Sequence, residues 1–444
     1  MFADQSRQIL LHAVPMLIAQ LASMGMMVID TMLLGHYGTV DLAAVAVGGG
    51  VYVAVVFALT GVLQAVSPTV SHLKGAGRDE EIAGALQQCF WLASILSVPG
   101  VLFLNYPDAL LRLSDLEPAV DLKARAYLAV LAWSIPAALF YRTFYAFCNA
   151  LGHPRPLMLI SLGCTLLHGL LAWALVNGWA GREGLGVLGC GMSSAVVGWF
   201  SLICGFVYLN RGLALKPYQL LRHWQPPHPK AMWELIRLGL PMGFSNFVEI
   251  SSFTLMALFV AQLGASVVAG HRIVANLAAL CYMLPLALSI ATLAQVGTAA
   301  GARDWRRARL SVAAGLTLSC GLATLLGLVL WVSELPVVKA YTADVTVQKV
   351  ALSLIGYVVA YQVFDAVQTV AAFSLRGFKI TFIPMFVHIF CFWGVGLFGG
   401  WWLAFRAPSP MGVTGFWVAS LASLVLAAIL LGTLLWRAIR ERHE

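Results

Sequence analysis

The chain has 444 residues, of which 60% are hydrophobic and 10% are charged, and its formal net charge is +8. A water-soluble domain carries about 25% charged residues, so this composition excludes a soluble enzyme, a nucleic-acid-binding domain and a secreted disulfide scaffold. The long, continuous apolar runs also exclude an outer-membrane barrel, whose strands alternate apolar and polar residues.

Apolar runs long enough to cross a bilayer recur along the whole chain. A spanning helix needs about 20 mostly apolar residues, and hydropathy together with loop residues predicts twelve. They lie near residues 11–34, 43–70, 85–104, 123–147, 156–178, 185–209, 235–260, 268–298, 310–332, 346–373, 382–403 and 411–436. The sequence therefore predicts an all-α integral membrane protein. A polar cytoplasmic linker (211–234) separates an N-terminal six-helix lobe (1–210) from a C-terminal six-helix lobe (235–444).

The two halves of the chain match each other at a nearly constant offset. Pro15 and Pro241 open similar segments 226 residues apart, and GAGRD at 75–79 aligns with AGARD at 300–304 at an offset of 225. Each half has an even number of predicted spans, so both keep the same orientation in the membrane. The internal repeat is therefore predicted to be parallel, about an axis along the membrane normal.

Basic residues are concentrated on one side of this topology. If both termini lie on one side, 17 Lys and Arg residues fall there and at most seven on the other. Loops rich in Lys and Arg face the cytoplasm, so we expect both termini to be cytoplasmic. The positive net charge then needs no nucleic-acid partner. The eight cysteines form no C-x-x-C pair, which is typical of small buried side chains.

Three carboxylates fall inside predicted spans: Asp30, Glu249 and Asp365. An ionised carboxylate at a helix centre costs about 2.5–3.5 kcal/mol on insertion scales. Such residues normally face a cavity or a partner and belong to a transport pathway. Asn246 precedes Glu249 by three residues and therefore shares its helix face.

Polar side chains also flank Asp365. Tyr361 lies four residues before it and Gln368 three after, so all three share one helix stripe. A carboxylate beside a phenol and an amide can bind a cation through oxygen ligands or hold a transferable proton. The alternative is a structural carboxylate neutralised by a basic neighbour, for which Arg142 and Arg272 are the candidates.

Three histidines lie in or beside apolar spans: His168, His271 and His388. Each is either a satisfied core side chain or part of a proton relay. No Walker A, H-E-x-x-H or G-x-S-x-G pattern occurs in the chain. The sequence therefore predicts a transporter rather than an enzyme, running on an ion gradient or passively.

At this point the chain resembles the multidrug and toxic compound extrusion (MATE) family, with a closer likeness to its bacterial NorM-type branch. The resemblance depends on the order and spacing of four segments: PMLIAQ…VIDTMLLGHYG (15–38), LPMGFSNFVEISSF (240–253), GHRIVANL (270–277) and YQVFDAVQTVAAFSLRGF (361–378). It implies twelve helices in two six-helix lobes around a central cleft. It also implies antiport, in which Na⁺ or H⁺ enters while an organic cation leaves, with no further cofactor.

The resemblance also implies roles for individual residues. Glu249, Asp365 and Tyr361 match the cation site of the C-terminal lobe and are the candidate Na⁺ ligands, with Asn246 and Gln368 beside them. Asp30 matches the first-helix carboxylate of the N-terminal lobe. Family members with a Na⁺ site in that lobe have asparagines on the fifth helix, whereas this chain has His168 in LLHGLLAWAL. That departure leaves room for proton coupling through Asp30 and His168.

A different function within the wider superfamily is a lipid-linked oligosaccharide flippase. Its pyrophosphate substrate would need a basic cavity, whereas the charges inside these spans are mostly acidic. The expected protein is therefore a multi-pass monomer of the bacterial inner membrane. Its expected partners are small organic cations and the lipid bilayer.

Overall fold

The computed structural model describes residues 1–111, 117–178, 183–220 and 224–441. Its regular structure is helical, and no β-strand occurs in these ranges. Four basic residues of the loop count, Arg112, Arg182, Arg222 and Arg442, lie outside the described residues.

Within the described ranges, twelve helical segments are long and apolar enough to cross a membrane, and they are numbered here in chain order. They are α1 (Phe2–Tyr37), α2 (Thr39–Gly75), α3 (Asp79–Asn105), α4 (Pro118–Ala132 and Ile135–Ala150), α5 (Pro154–Asn177), α6 (Val187–Arg211), α7 (Pro229–Leu263), α8 (Ala265–Gly301), α9 (Trp305–Val332), α10 (Val345–Gly377), α11 (Phe382–Phe405) and α12 (Val413–Arg440). Eleven pass as single helices, and α4 passes as a pair bent by 53°. The prediction of an all-α protein with twelve spans is confirmed.

The helices extend beyond the predicted spans at many ends. Helix α1 begins at Phe2 rather than near residue 11, and α7 begins at Pro229 rather than near 235. Hydropathy detects the apolar part of a helix, whereas backbone hydrogen bonding continues into the polar flanks. Short helices at Asp108–Leu111, Leu213–Tyr218 and Glu334–Tyr341 lie in the connections.

The bend in α4 lies at Trp133 and Ser134, just before Pro136. Proline has no N–H to donate and its ring clashes with the preceding turn. Side chains bond two carbonyls there: the Ser134 hydroxyl donates to Leu131 O (2.7 Å), and Trp199 Nε1 donates to Trp133 O (3.1 Å). These two side-chain hydrogen bonds therefore stabilise the break.

Two compact units make up the chain. The N-terminal unit is Pro15–Gly243, and the C-terminal unit is Met1–Val14 with Phe244–Glu444. In the N-terminal unit, α4 packs against α2, α3 and α6, and α5 packs against α6. In the C-terminal unit, α10 packs against α8, α9 and α12. Helix α10 is therefore the central helix of its unit, and it carries Tyr361, Asp365 and Gln368.

The segment between α6 and α7 is bound to α3. Buried Gln87 and Gln88 each donate their side-chain amide N–H to one linker carbonyl and accept one linker N–H. The bonds are Gln87 Nε2 to Leu220 O (2.8 Å), Gln225 N to Gln87 Oε1 (2.8 Å), Gln88 Nε2 to Pro226 O (2.9 Å) and His228 N to Gln88 Oε1 (2.7 Å). The described part of the linker is thus attached to the N-terminal unit.

Candidate cation-binding sites

The C-terminal unit brings Glu249 and Asp365 into one polar cluster. Asp365 on α10 is only 6% exposed, whereas Glu249 on α7 is partly exposed. The two carboxyl groups interact electrostatically with each other and with the Tyr282 hydroxyl on α8. Among the described residues neither carboxylate forms an ion pair within 4.0 Å. Two acidic groups therefore share this cluster without a directly bound basic side chain.

Gln368 and Thr369 hold Asp365 in place. Gln368 Nε2 donates to Asp365 Oδ1 (3.0 Å) and also to Thr369 Oγ1 (3.0 Å), while the Thr369 hydroxyl donates to the Asp365 carbonyl (2.7 Å). No described residue donates a hydrogen bond to Asp365 Oδ2. The carboxylate is thus oriented by its own helix, with one oxygen available to a ligand.

Tyr361 lies one helical turn before Asp365 and is 2% exposed. Its ring stacks on Trp417 of α12, with a centroid distance of 6.1 Å and an interplanar angle of 6°. The phenol interacts electrostatically with Asp365. Carboxylate, amide and phenol oxygens are the donor types that hard cations bind. Within the described ranges no group of three or more His, Cys, Asp or Glu side chains could hold a metal ion.

Arg376 is a buried basic residue, although it lies beyond the end of the predicted tenth span. It lies at the C-terminal end of α10 and is 3% exposed. Its Nη2 donates to Asn246 Oδ1 (2.8 Å), and its guanidinium lies 4.5 Å from the centroid of the Phe373 ring. The two basic neighbours proposed from the sequence, Arg142 and Arg272, have exposed side chains and form no ion pair in the described structure. Arg376 is therefore the basic residue of this cluster.

In the N-terminal unit, Asp30 of α1 contacts His168 of α5. His168 Nε2 lies 2.8 Å from Asp30 Oδ1, and the two side chains are 1% and 14% exposed. The other ring nitrogen, Nδ1, lies 3.2 Å from the hydroxyl of Ser193 on α6. The structure thus joins two residues that the sequence singled out, and adds Ser193, which it did not.

Asp41 is a further buried carboxylate, which lies just before the start of the predicted second span. It lies in the first turn of α2 and is 4% exposed. Lys123 of α4 forms an ion pair with Oδ2, and Oδ1 accepts the Val187 N–H (2.9 Å) at the start of α6. With both oxygens bound to its own unit, Asp41 is a structural carboxylate, which distinguishes it from Asp30.

The remaining histidines lie in the C-terminal unit. His271 has a ring centroid 5.7 Å from that of Trp417, and its Nδ1 has no hydrogen-bond partner among the described residues. His388 is 2% exposed, and neither of its ring nitrogens has a partner in the described structure. Buried polar atoms without a protein partner are normally satisfied by water or an ion. These ring nitrogens therefore add to the polar interior of the C-terminal unit.

Comparisons with known proteins identify the family of this chain. The MatE family model matches it twice, at residues 15–174 and 241–402, in agreement with the internal repeat. The chain is 55% identical over 437 residues to a probable multidrug resistance protein NorM from Aromatoleum aromaticum, covering 98% of this chain and 94% of the relative. It is 35% identical to a protein of the same name from Chromobacterium violaceum, covering 99% and 95%.

Solved structures agree in fold. A eukaryotic MATE transporter superposes with a TM-score of 0.87 at 19% identity, covering 99% of both chains. An outward-facing multidrug resistance MATE transporter gives a TM-score of 0.90 at 17% identity, covering 99% of this chain and 97% of that one. The two family-model matches and the near full-length relatives together show that this chain belongs to the MATE family of membrane transporters.

Proposed function

We propose that this protein is a cation-coupled multidrug antiporter, which exports organic cations and other toxic compounds while Na⁺ or H⁺ moves inward. The names of its relatives support multidrug efflux as the activity. The observation that carries the cation coupling is the Glu249–Asp365 pair, which lacks an ion-pair partner in the described structure. Buried charges are normally paired, so such a pair is suited to exchangeable positive ligands.

Competition between two cationic ligands provides the mechanism. In the state open to the outside, an incoming cation neutralises the carboxylates and weakens their attraction for a cationic drug. In the state open to the inside, release of that cation restores the negative charge and favours capture of the next drug molecule. Coupling requires only that the two ligands favour different conformations.

The Asp30–His168 pair supports a separate proton site in the N-terminal unit. A carboxylate and an imidazole 2.8 Å apart can share a transferable proton. His168 stands where an asparagine would offer an amide oxygen to Na⁺. We therefore assign the Asp30–His168 pair to H⁺ rather than Na⁺. The C-terminal cluster, with its oxygen donors, accepts either ion.

The distribution of basic loops predicts how the protein is oriented in the membrane. We place the protein in the bacterial inner membrane as a monomer with both termini cytoplasmic, because Lys and Arg are concentrated in the loops on the side of the termini. Its partners are then small organic cations and the surrounding bilayer, with no nucleic acid and no cofactor other than the coupling ion.

Reconstitution into liposomes tests the function directly. Uptake of a fluorescent organic cation is followed while a Na⁺ gradient and a pH gradient are imposed separately. We expect drug to move against its own gradient when at least one ion gradient is present, and the effective gradient identifies the coupling ion. Equal drug movement with both gradients collapsed would contradict cation coupling.

A further inference from the structure

The acidic cluster of the C-terminal unit contains one buried positive charge. Arg376 is 3% exposed and interacts electrostatically with Glu249. It does not approach either carboxylate within ion-pair distance, because its Nη2 is hydrogen-bonded to Asn246 Oδ1 at 2.8 Å. Asn246 lies one helical turn before Glu249 on α7. The guanidinium is therefore fixed near Glu249 without occupying its oxygens.

Packing and hydrogen bonding determine the position of Arg376. The Phe373 ring, one turn earlier on α10, lies 4.5 Å from the guanidinium carbon, and cation–π contacts of this kind stabilise desolvated arginine. Nη1 is buried and has no hydrogen-bond partner in the described structure. An arginine cannot lose its proton in a protein, so the positive charge is permanent.

The formal charges of the cluster sum to one net negative charge. Glu249 and Asp365 contribute two negative charges when ionised, and Arg376 contributes one positive charge. His388 is counted as a neutral imidazole, because it is buried and neither ring nitrogen has a hydrogen-bond partner in the described structure. Tyr282 and Tyr361 are neutral phenols. The empty cluster therefore carries one net negative charge, and one monovalent cation neutralises it.

We propose that Arg376 is a built-in counter-charge that limits the Glu249–Asp365 cluster to one monovalent cation at a time. This inference rests on the proposed function, since it requires the cluster to bind the coupling cation. A second cation would give the buried site a net positive charge, and Coulomb repulsion at short range in a partly desolvated interior opposes that strongly. Without the guanidinium, two carboxylates would accept two cations.

Charge-matched variants separate this role from a structural one. Arg376→Gln removes the charge and keeps an N–H donor for Asn246, whereas Arg376→Lys keeps the charge. Glu249→Gln leaves a cluster with no net charge. The double variant Glu249→Gln/Arg376→Gln restores one net negative charge through Asp365. Size-exclusion chromatography confirms that each full-length variant is folded before it is measured.

The experiment counts the cations bound by the purified protein. Equilibrium dialysis with radioactive Na⁺ counts sodium ions, and potentiometric titration near neutral pH counts protons, each relative to the Glu249→Gln/Asp365→Asn variant. We expect one cation for the wild type and for Arg376→Lys, two for Arg376→Gln, none for Glu249→Gln and one for Glu249→Gln/Arg376→Gln.

Two outcomes would overturn the inference, and a third would overturn the proposed cation binding on which the inference rests. If Arg376→Gln still binds one cation, the counter-charge role is wrong. If Arg376→Gln does not fold, the Glu249→Gln variant decides: one bound cation in this variant, as in the wild type, rejects the inference. If the wild type binds no more cations than Glu249→Gln/Asp365→Asn, the proposed function itself fails at this site.

Discussion

His168 Nε2 lies 2.8 Å from Asp30 Oδ1, although 138 residues separate the two in the chain. The Ser193 hydroxyl donates to Cys190 O (3.0 Å), so its oxygen is left to accept from His168 Nδ1. A hydroxyl has one proton to donate. In that arrangement His168 Nδ1 donates to Ser193, and we propose that the proton transferred in coupling is the one held between Nε2 and Asp30 Oδ1.

His168→Gln tests the proposed proton transfer. Glutamine can still hydrogen-bond Asp30 but cannot exchange a proton near neutral pH. We therefore expect drug uptake driven by a pH gradient in everted membrane vesicles to fall at least tenfold, a loss of about 1.4 kcal/mol or more in transition-state terms. His36→Gln, at an exposed histidine, serves as the control. Full proton-driven uptake by His168→Gln would exclude a proton role for His168.

Asp365→Asn keeps the shape of the side chain and an acceptor for Gln368 Nε2, but removes the negative charge. We expect cells producing this variant to accumulate a fluorescent organic cation as fast as cells without the transporter, while the amount of folded protein in the membrane is unchanged. Glu441→Gln, at an exposed position, should retain wild-type efflux. Normal efflux from Asp365→Asn would remove Asp365 from the mechanism.

Most of the candidate site residues could be recognised from the sequence, because an acidic side chain inside an apolar span costs free energy and therefore stands out. The sequence indicated Asp30, Glu249 and Asp365 individually, and helical spacing placed Asn246 and Gln368 beside the last two. It did not indicate Arg376 as a partner, because that residue falls just beyond the apolar part of α10 and is counted with the loops. The assigned roles of these residues stay predictions until they are tested by substitution.

Asp41 gives a prediction about stability rather than transport. Asp41→Asn keeps an acceptor for the Val187 N–H but loses the ion pair with the partly exposed Lys123, which costs about 0.5–1 kcal/mol. Asp41→Ala also leaves a buried N–H unbonded, which adds about 1–3 kcal/mol. Thermal unfolding of the purified protein in detergent should therefore rank wild type above Asn and Asn above Ala. Equal melting temperatures for the two variants would contradict the assigned hydrogen bond.

The attachment of the linker to α3 predicts its resistance to proteolysis. The double variant Gln87→Ala/Gln88→Ala loses four hydrogen bonds to the linker backbone, each contributing about 1 kcal/mol. We expect trypsin to cleave this variant between α6 and α7 at least tenfold faster than the wild type. Gln8→Ala, at an exposed position, should be cleaved at the wild-type rate. Unchanged cleavage of the double variant would mean that the linker is free of α3.

The fold was predictable from the sequence to the level of span number and order, because membrane insertion imposes long apolar runs. The bend of α4 was not, since Pro136 alone does not reveal that Ser134 and Trp199 bond the carbonyls at the break. The docked linker was also missed: Gln87 and Gln88 lie on a helix whose polar residues hydropathy treats as surface. Contacts between distant segments depend on tertiary packing, which periodicity does not encode.

The central claim is that Glu249 and Asp365 bind the coupling cation and the drug in alternation. The most direct measurement is the dissociation constant of a fluorescent organic cation for the purified protein, determined at increasing concentrations of Na⁺ and of H⁺. The account predicts that at least one ion raises the dissociation constant of the drug for the wild type, linearly with ion concentration when the ion saturates the Glu249–Asp365 site. The dissociation constant for Glu249→Gln/Asp365→Asn stays unchanged. Drug binding that is independent of both ions in the wild type, or equally sensitive in the double variant, would contradict it.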